Sequence, residues 1–401
     1  MTTAELLHTY ADVHGYVKRI CFKTGPPTYV GAELEWLVAD LAQPHRPVPL
    51  DQLRTLLADH APPPAGSTIT FEPGGQLELS SPPTVGLTAC WQALAADVSH
   101  IAGQLRPLGL TLLPTAIDPH RTPRRQLRAP RYDAMEAYYD RLGSTGRLMM
   151  CSTAAVQVNL DAGSDAADVR RRWRLLNAVG PVFVAAFANS PVHAGRHTGW
   201  KSARQAVWQR LDPPRTSAPV PGADPVVGWA EYALDAPVMV RRRPGAWRCE
   251  PELTFRQWLD SRAPPTTDDL AYHLTTLFPP VRPRGWFEVR YVDAQSQTWW
   301  PVPIAVLTAL VDDPRAGDLA MAAAEPVAGA WQVAARRGLA DPRLARAAAD
   351  CFDAALGALS AGRVHPQLLT LVDRYLHTYV RHGRCPADDV TTRAQPLEEA
   401  R

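Results

Sequence analysis

Residues 28–39 read TYVGAELEWLVA, an apolar strand interrupted by Glu33 and Glu35. The two glutamates are two residues apart, so on an extended strand both side chains leave the same face. Glutamate is depleted in strands, and here the pattern recurs. Residues 67–73, STITFEP, and 76–81, QLELSS, flank Gly74-Gly75 and form a predicted hairpin. Glu72 and Glu78 lie on its two arms, with Gln76 two residues before Glu78. Residues 285–293, GWFEVRYVD, carry Glu288 two residues before Arg290. Water-facing alternation on an antiparallel sheet explains any one such pair. If the three strands share a face, four or five carboxylates converge, and buried like charges require cations to neutralise them. An oxygen-only donor set with few histidines points to Mg²⁺ or Mn²⁺.

Working outward, a first helix is expected over residues 4–22, capped by Thr2 or Thr3, with others at 50–58, 86–105, 132–141, 166–188, 202–209 and 267–277. Strands are expected at 111–118 and 149–160, and turns with short strands over 216–242. After Pro303 the chain is Ala-rich and helical to about residue 382, with a frayed tail beyond. Helices and strands are mixed without regular βαβ units, which argues for an α+β fold on a largely antiparallel sheet. The expected division is a catalytic domain over 1–313 and a helical region over 314–401 that packs on it.

The chain has 401 residues, 46% of them hydrophobic, and a net charge of +2. So balanced a charge gives no reason to expect nucleic acid as the partner. The six cysteines form no CxxC pair and suggest reduced thiols. No signal sequence or membrane-length apolar run is present, so a cytoplasmic protein is expected. Oligomeric state stays open, and a monomer is consistent with these features.

Two further patterns bear on chemistry. In VQVNLD, residues 156–161, Gln157 and Asn159 alternate with apolar residues, and such amides can ligate a metal or bond a substrate. Arg204 and Trp208 are i and i+4 and share a helix face. That pair suits an amino acid, the fork on its carboxylate and the ring over its carbon chain. Arg215, Arg282, Arg284 and Arg290 are candidates for phosphates. GRHTGWKS (195–202) has the wrong spacing for a P-loop, and Gly195 and Pro191 argue against a zinc pair at His193 and His197. Cys151, in an apolar strand, reads as a buried thiol.

Together ICFKTGPP (20–27), GAELEW, TFEPGGQLELSS, PRYDAMEAYY (130–139), VQVNLD, FANSP (187–191), the Arg204–Trp208–Arg215 stretch, WAEYALDAP (229–237) and residues 273–293 resemble the plant-type glutamate–cysteine ligases and their actinobacterial relatives. The style is most similar to the actinobacterial branch that serves ergothioneine synthesis. The resemblance implies a glutamine-synthetase-like catalytic domain, a curved antiparallel sheet funnel with helices outside. It implies metal ligands at Glu33, Glu35, Glu72, Glu78, Gln157 and Glu288. Glutamate would be held by Arg131, Arg204 and Trp208, with Gln76 and Asn159 also toward substrate. Arg284, Arg290 and Arg215 would face ATP, and Glu35, Glu72 and Arg290 would carry the chemistry. The implied reaction is ATP- and Mg²⁺-dependent ligation of glutamate to cysteine through γ-glutamyl phosphate. Another amine acceptor, or an inactive binding protein of the same fold, are the alternatives. Cys151 and Ser152 depart from the plant pattern.

Overall fold

The alternation at residues 28–39 is realised in β1, Tyr29–Trp36, near the middle of a seven-stranded sheet. The computed structural model describes residues 5–219, 224–243, 246–362 and 364–393. The remaining strands of this sheet are β2 (Thr68–Phe71), β3 (Leu77–Ser80), β4 (Thr84–Val85), β5 (Ala155–Asp161), β6 (Val281–Pro283) and β7 (Trp286–Asp293). Their order is β6-β7-β5-β1-β3-β2, with β4 beside the first residues of β1. Every pairing is antiparallel, and the sheet stays open between its edges.

Register decides which residues meet. Glu33 is opposite Gln157 on one side and Ser80 on the other, and Glu35 is opposite Glu78. Glu288 is opposite Asn159 and Arg282. Because successive side chains alternate, one face collects these polar groups and the other collects apolar ones. Val30, Ala32, Leu34 and Trp36 are buried with Val156, Val158, Leu160, Phe287 and Val289. Helices Leu87–Leu105, Gly180–Ala186 and Pro301–Asp312 pack on this side. Every residue of the last from Pro301 to Val311 is buried, as expected of a helix apolar all round. Leu344, Phe352, Leu368, Val372 and Tyr375 of the C-terminal helices share this same core.

A second, smaller core stands on the polar side of the sheet. It joins helices Pro130–Asp140, Thr145–Ser152 and Ala203–Leu211 to the strand Pro237–Arg243. The β2–β3 turn presses against it. A Cβ at Gly74 would lie 2.1 Å from the Cys151 carbonyl oxygen, so close approach requires this glycine, while the turn itself needs the positive φ of Gly75.

Several local expectations change. The first helix begins at Tyr10, capped by Thr9 in a reciprocal box with Asp12; Thr2 and Thr3 lie outside the described residues. Residues 149–152 end a helix, and the strand starts only at Ala155, since a short apolar run is ambiguous between the two. Cys151 is thus helical, and buried. Within 111–118 Thr111 and Leu112 belong to the strand Leu110–Leu112, and Ile117 makes a single bridge to Thr153. The helix over 166–188 is two, Ala166–Ala178 and Gly180–Ala186, broken where Pro181 enters the first turn of the second. Residues 225–235, expected as turns, form a helix capped by Asp224 with Pro225 in its first turn. The expected tail contains a helix, Pro386–Arg393.

Candidate active site

Between the polar sheet face and the smaller core lies a cavity of about 330 Å³. β1, β3 and the residue following β2 supply Glu33, Glu35, Glu78 and Glu72 to one side of it. β6, β7 and the turn between them supply Arg282, Arg284, Glu288 and Arg290 to the other. Gln157 on β5 stands between the two groups. Arg131, Tyr132, Met149, Trp208 and Thr275 line the part made by the helices.

Among the described residues no cation pairs directly with the carboxylate side; Arg290, and Arg204 for Glu35, act on it only at longer range and are outweighed. Burial first, and then Glu288 and Glu78, push the Glu33 carboxyl up to about 7. Burial and Glu78 push Glu35 up to about 7, and burial with Glu35 and Glu78 push Glu72 up to about 8. Among the described residues these groups are offered neutral hydrogen-bond donors: Gln157 Nε2 donates to Glu35 at 2.7 Å, the Ala155 N–H to Glu35 at 2.9 Å, and Asn159 Nδ2 to Glu33 at 3.2 Å. Glu78 accepts from the Thr70 hydroxyl at 2.7 Å. On the opposite side the balance reverses. Arg282 grips Glu288 with two nitrogens at 2.6 and 2.9 Å, and Arg290 adds a third contact at 2.8 Å. Burial alone would raise Glu288, but Arg282 and Arg290 outweigh it and hold the carboxyl at about 2.

Arg204 lies beneath the cavity floor and is buried. Its Nη2 donates to the Arg290 carbonyl at 2.8 Å, and Nη1 stands 3.6 Å from Asp293. Asp293 already accepts from the Ser190 and Ser202 hydroxyls and the Asn189 N–H. Arg204 Nη1 is left buried without a hydrogen-bond acceptor, and so is Trp208 Nε1 one helical turn on. Two buried donors without acceptors on one helix face are costly. Arg131 is fixed at the same end by its two bonds to Thr275, each 2.9 Å.

The other candidates divide. Gln76 lines the cavity, yet its amide is spent on the backbone of Gly74, Met150 and Thr153, so it holds the turn in place. Asn159 does not line the cavity; it donates to Glu33 and accepts from Trp286 Nε1 at 3.1 Å. Arg215 does not reach the cavity at all. It is fully buried, bonded to Asp212 at 3.0 Å, to Thr276 and to the Pro237 carbonyl, and it knits the smaller lobe. Arg284, 44% exposed, sits on the rim. Arg282, named only among weak phosphate candidates, is the main partner of Glu288; its position opposite that residue is a register fact that no sequence motif carries. Tyr132 and Thr275 were not singled out by the sequence; Tyr132 adjoins Arg131, the one available signal. No three acidic, histidine or cysteine side chains among the described residues stand close enough, as placed, to close on one ion.

Residues 29–401 match the model of the glutamate–cysteine ligase family 2. The chain is 42% identical over 391 residues to the glutamate–cysteine ligase EgtA of Mycobacterium tuberculosis, covering 94% of this chain and 89% of that protein. It is 45% identical to EgtA of Mycolicibacterium smegmatis, over 92% and 88% of the two chains. The chloroplastic glutamate–cysteine ligase of Brassica juncea is 35% identical over 56% of this chain and 46% of its own. Among solved structures, a bifunctional glutathione synthetase from Pasteurella multocida superposes with a TM-score of 0.54 at 13% identity, covering 98% of this chain and 52% of that one. A glutamate–cysteine ligase from Francisella tularensis, in complex with AMP, gives a TM-score of 0.50 at 13% identity, over 93% and 86%. At such identities the two structures speak to the fold.

Proposed function

The chain belongs to the glutamate–cysteine ligase family 2, and on that premise we propose that it joins the γ-carboxylate of L-glutamate to the amine of L-cysteine at the expense of ATP. The product is γ-glutamylcysteine, supplied to ergothioneine synthesis. The observation that carries this reading is the juxtaposition, on one sheet face, of under-compensated carboxylates and a row of arginines.

The donor set fits a hard divalent cation. Glu33, Glu35, Glu72 and Glu78 are crowded carboxylates whose burial calls for positive charge, and all supply oxygen. They would hold Mg²⁺ or Mn²⁺, with Gln157 and Glu288 joining from β5 and β7. Of these, Glu288 has first to give up contacts to Arg282 and Arg290. When bound, the ion supplies charge neutralisation at the phosphates.

The chain's own groups do the rest. At the helical end, Arg131 and Trp208 bind the α-carboxylate end of glutamate, and Arg204 beneath the floor, paired with Asp293 and bonded to the Arg290 carbonyl, holds that end in position. This leaves the γ-carboxylate directed toward the arginines. That carboxylate attacks the γ-phosphorus in line and ADP leaves, while Arg290, Arg282 and Arg284 stabilise charge on the transferring group. The neutral amine of cysteine then attacks the γ-glutamyl phosphate carbonyl carbon: the C–N bond forms, the C–O bond to phosphate breaks, phosphate leaves with the carboxylate oxygen, and the nitrogen's surplus proton passes to solvent. No protein nucleophile is needed; Cys151 is buried, and burial pushes its thiol up to about 12.

The test is ADP release from ATP, Mg²⁺ and glutamate, comparing cysteine with other amines and with no acceptor, and weighing the product. Release with cysteine and a γ-glutamylcysteine mass supports the reading. Release with another amine changes the acceptor, and no release with any amine favours an inactive binding protein.

A further inference from the structure

A second cavity, of about 370 Å³, lies against the turn between β2 and β3. Gly74 and Gly75 line it, and Gln76 lines both it and the catalytic cavity, so the turn is a wall between the two. Its floor is apolar, made by the buried side chains of Leu37, Val38, Val48 and Leu53. Its rim carries His45, His120, Arg121 and Arg124, with the two imidazole rings edge to face at 5.5 Å.

The charges on this rim do not balance. Asp118 is the one acid among the lining residues, and it is already engaged. One of its oxygens accepts the N–H groups of His120 and Arg121, each at 2.9 Å, and the other accepts Arg121 Nε at 2.5 Å. Arg121 is 13% exposed and gives Nη1 to the Val38 carbonyl at 3.0 Å, while its Nη2 bonds nothing among the described residues. Arg124 makes no ion pair among them either. The cavity therefore holds an unmatched positive charge and free guanidinium N–H groups above an apolar floor. Apolar walls with a few placed polar groups are the usual form of a small-ligand site, and a guanidinium selects a carboxylate.

Gln126, which also lines this cavity, fastens the dividing turn. Its backbone N–H donates to the Pro73 carbonyl at 2.7 Å, and that of Leu127 to the same oxygen at 3.0 Å. Its Nε2 donates to the Gly74 carbonyl at 2.9 Å and the Val48 carbonyl at 3.2 Å, and its Oε1 accepts the Leu50 N–H at 3.0 Å. The turn is tightly held there, since a Cβ at Gly75 would come 2.6 Å from Gln126 Nε2. The same turn carries Glu72 and Pro73 into the catalytic cavity. A continuous set of hydrogen bonds thus runs from the wall of one cavity to a carboxylate of the other.

We propose that this cavity is a second binding site, for a small organic carboxylate, and that its occupant acts on ligation through Gln126 and the β2–β3 turn. Arg121 and Arg124 take the carboxylate, and the apolar body of the ligand lies on the floor. None of Glu33, Arg131, Trp208 or Glu288 lines this cavity, so its ligand and glutamate do not exclude one another. Only the effect on turnover rests on the ligase reading above; the binding does not.

The probe is phenylacetate, with phenylacetamide as its neutral isostere, titrated by ligand-observed NMR with saturating glutamate present to fill the catalytic cavity. Thermal melts confirm that Arg124→Ala and Thr122→Phe fold; the second puts bulk on an exposed lining residue. Phenylacetate binds wild type, and phenylacetamide binds about tenfold more weakly, the scale of a hydrogen bond to a charged group. Both variants weaken phenylacetate to the same degree. No binding, displacement by glutamate, or equal binding by Arg124→Ala overturns the site. In steady state phenylacetate changes kcat by more than about twofold and KM for glutamate by less, and Arg124→Ala, normal without the probe, loses this response. Bound probe with kcat unmoved overturns the action on ligation. In a chain that does not ligate, amide exchange over residues 72–76 decides the link instead: a change of about twofold or more on adding phenylacetate upholds it, and no change overturns it.

Discussion

Gln157 Nε2 donates to Glu35 Oε1 at 2.7 Å across the β5–β1 pair. The same amide accepts from Arg290 through its oxygen, so one neutral side chain links the carboxylate half of the sheet face to the arginine half. The two halves have opposite electrostatics, and this divides the expected effects of mutation.

Glu35→Gln removes a charge the fold does not compensate, so without divalent cation its melting temperature stays at or above that of wild type. Its kcat falls at least about a hundredfold. Glu288→Ala also stops turnover but leaves Arg282 buried without its carboxylate, at a stability cost of about 3–5 kcal/mol. Denaturant melts and ADP release separate the two, and near-normal turnover in Glu35→Gln would contradict the metal assignment.

Trp208→Phe removes the unpaired Nε1–H together with part of the ring packed on Phe278. KM for glutamate rises about three- to tenfold, the worth of one hydrogen bond, and KM for ATP is unmoved. Arg204→Ala weakens glutamate further and also destabilises the fold, since Asp293 loses its cation. Equal changes for glutamate and ATP would refute the assignment of this end of the cavity.

Arg215→Ala behaves as a core mutation. Loss of its bonds to Asp212, Thr276 and Pro237 costs about 3 kcal/mol or more. Assayed well below the melting temperature, KM for ATP stays at the wild-type value. A selective rise in that KM would return Arg215 to the phosphates.

His273 gives a stability signal in acid. It is buried, donates to the Ala233 carbonyl at 2.9 Å and stacks on Phe255. Burial, and then Arg215, lower its pKa to about 3 from a usual 6.5. The unfolded chain thus binds the proton first. Full stability holds above pH 6.5 and is lost at about 1.4 kcal/mol per pH unit as pH falls toward 3. His273→Gln lacks this component, so melts of the two proteins at pH 7.5 and 5.5 diverge in slope; parallel slopes would show that the ring is not buried neutral.

The sequence by itself determined that Glu33 and Glu35 leave one face of a strand, and that Glu72 and Glu78 flank one hairpin, because side-chain alternation is local backbone geometry. The family, too, was legible, in short motifs spread from residue 20 to residue 293. Local pattern failed where a short apolar run such as 149–152 was buried equally well as the end of a helix. Only the tertiary structure decided what each arginine does. Arg204 and Arg215 occupy similar local settings, but packing puts one under the cavity floor with a free N–H and surrounds the other with acceptors from residues 212, 237 and 276. The pairing of Arg282 with Glu288 follows from strand order and register. Those contacts join segments far apart in the chain, whose placement depends on how the whole core packs and not on the residues beside them.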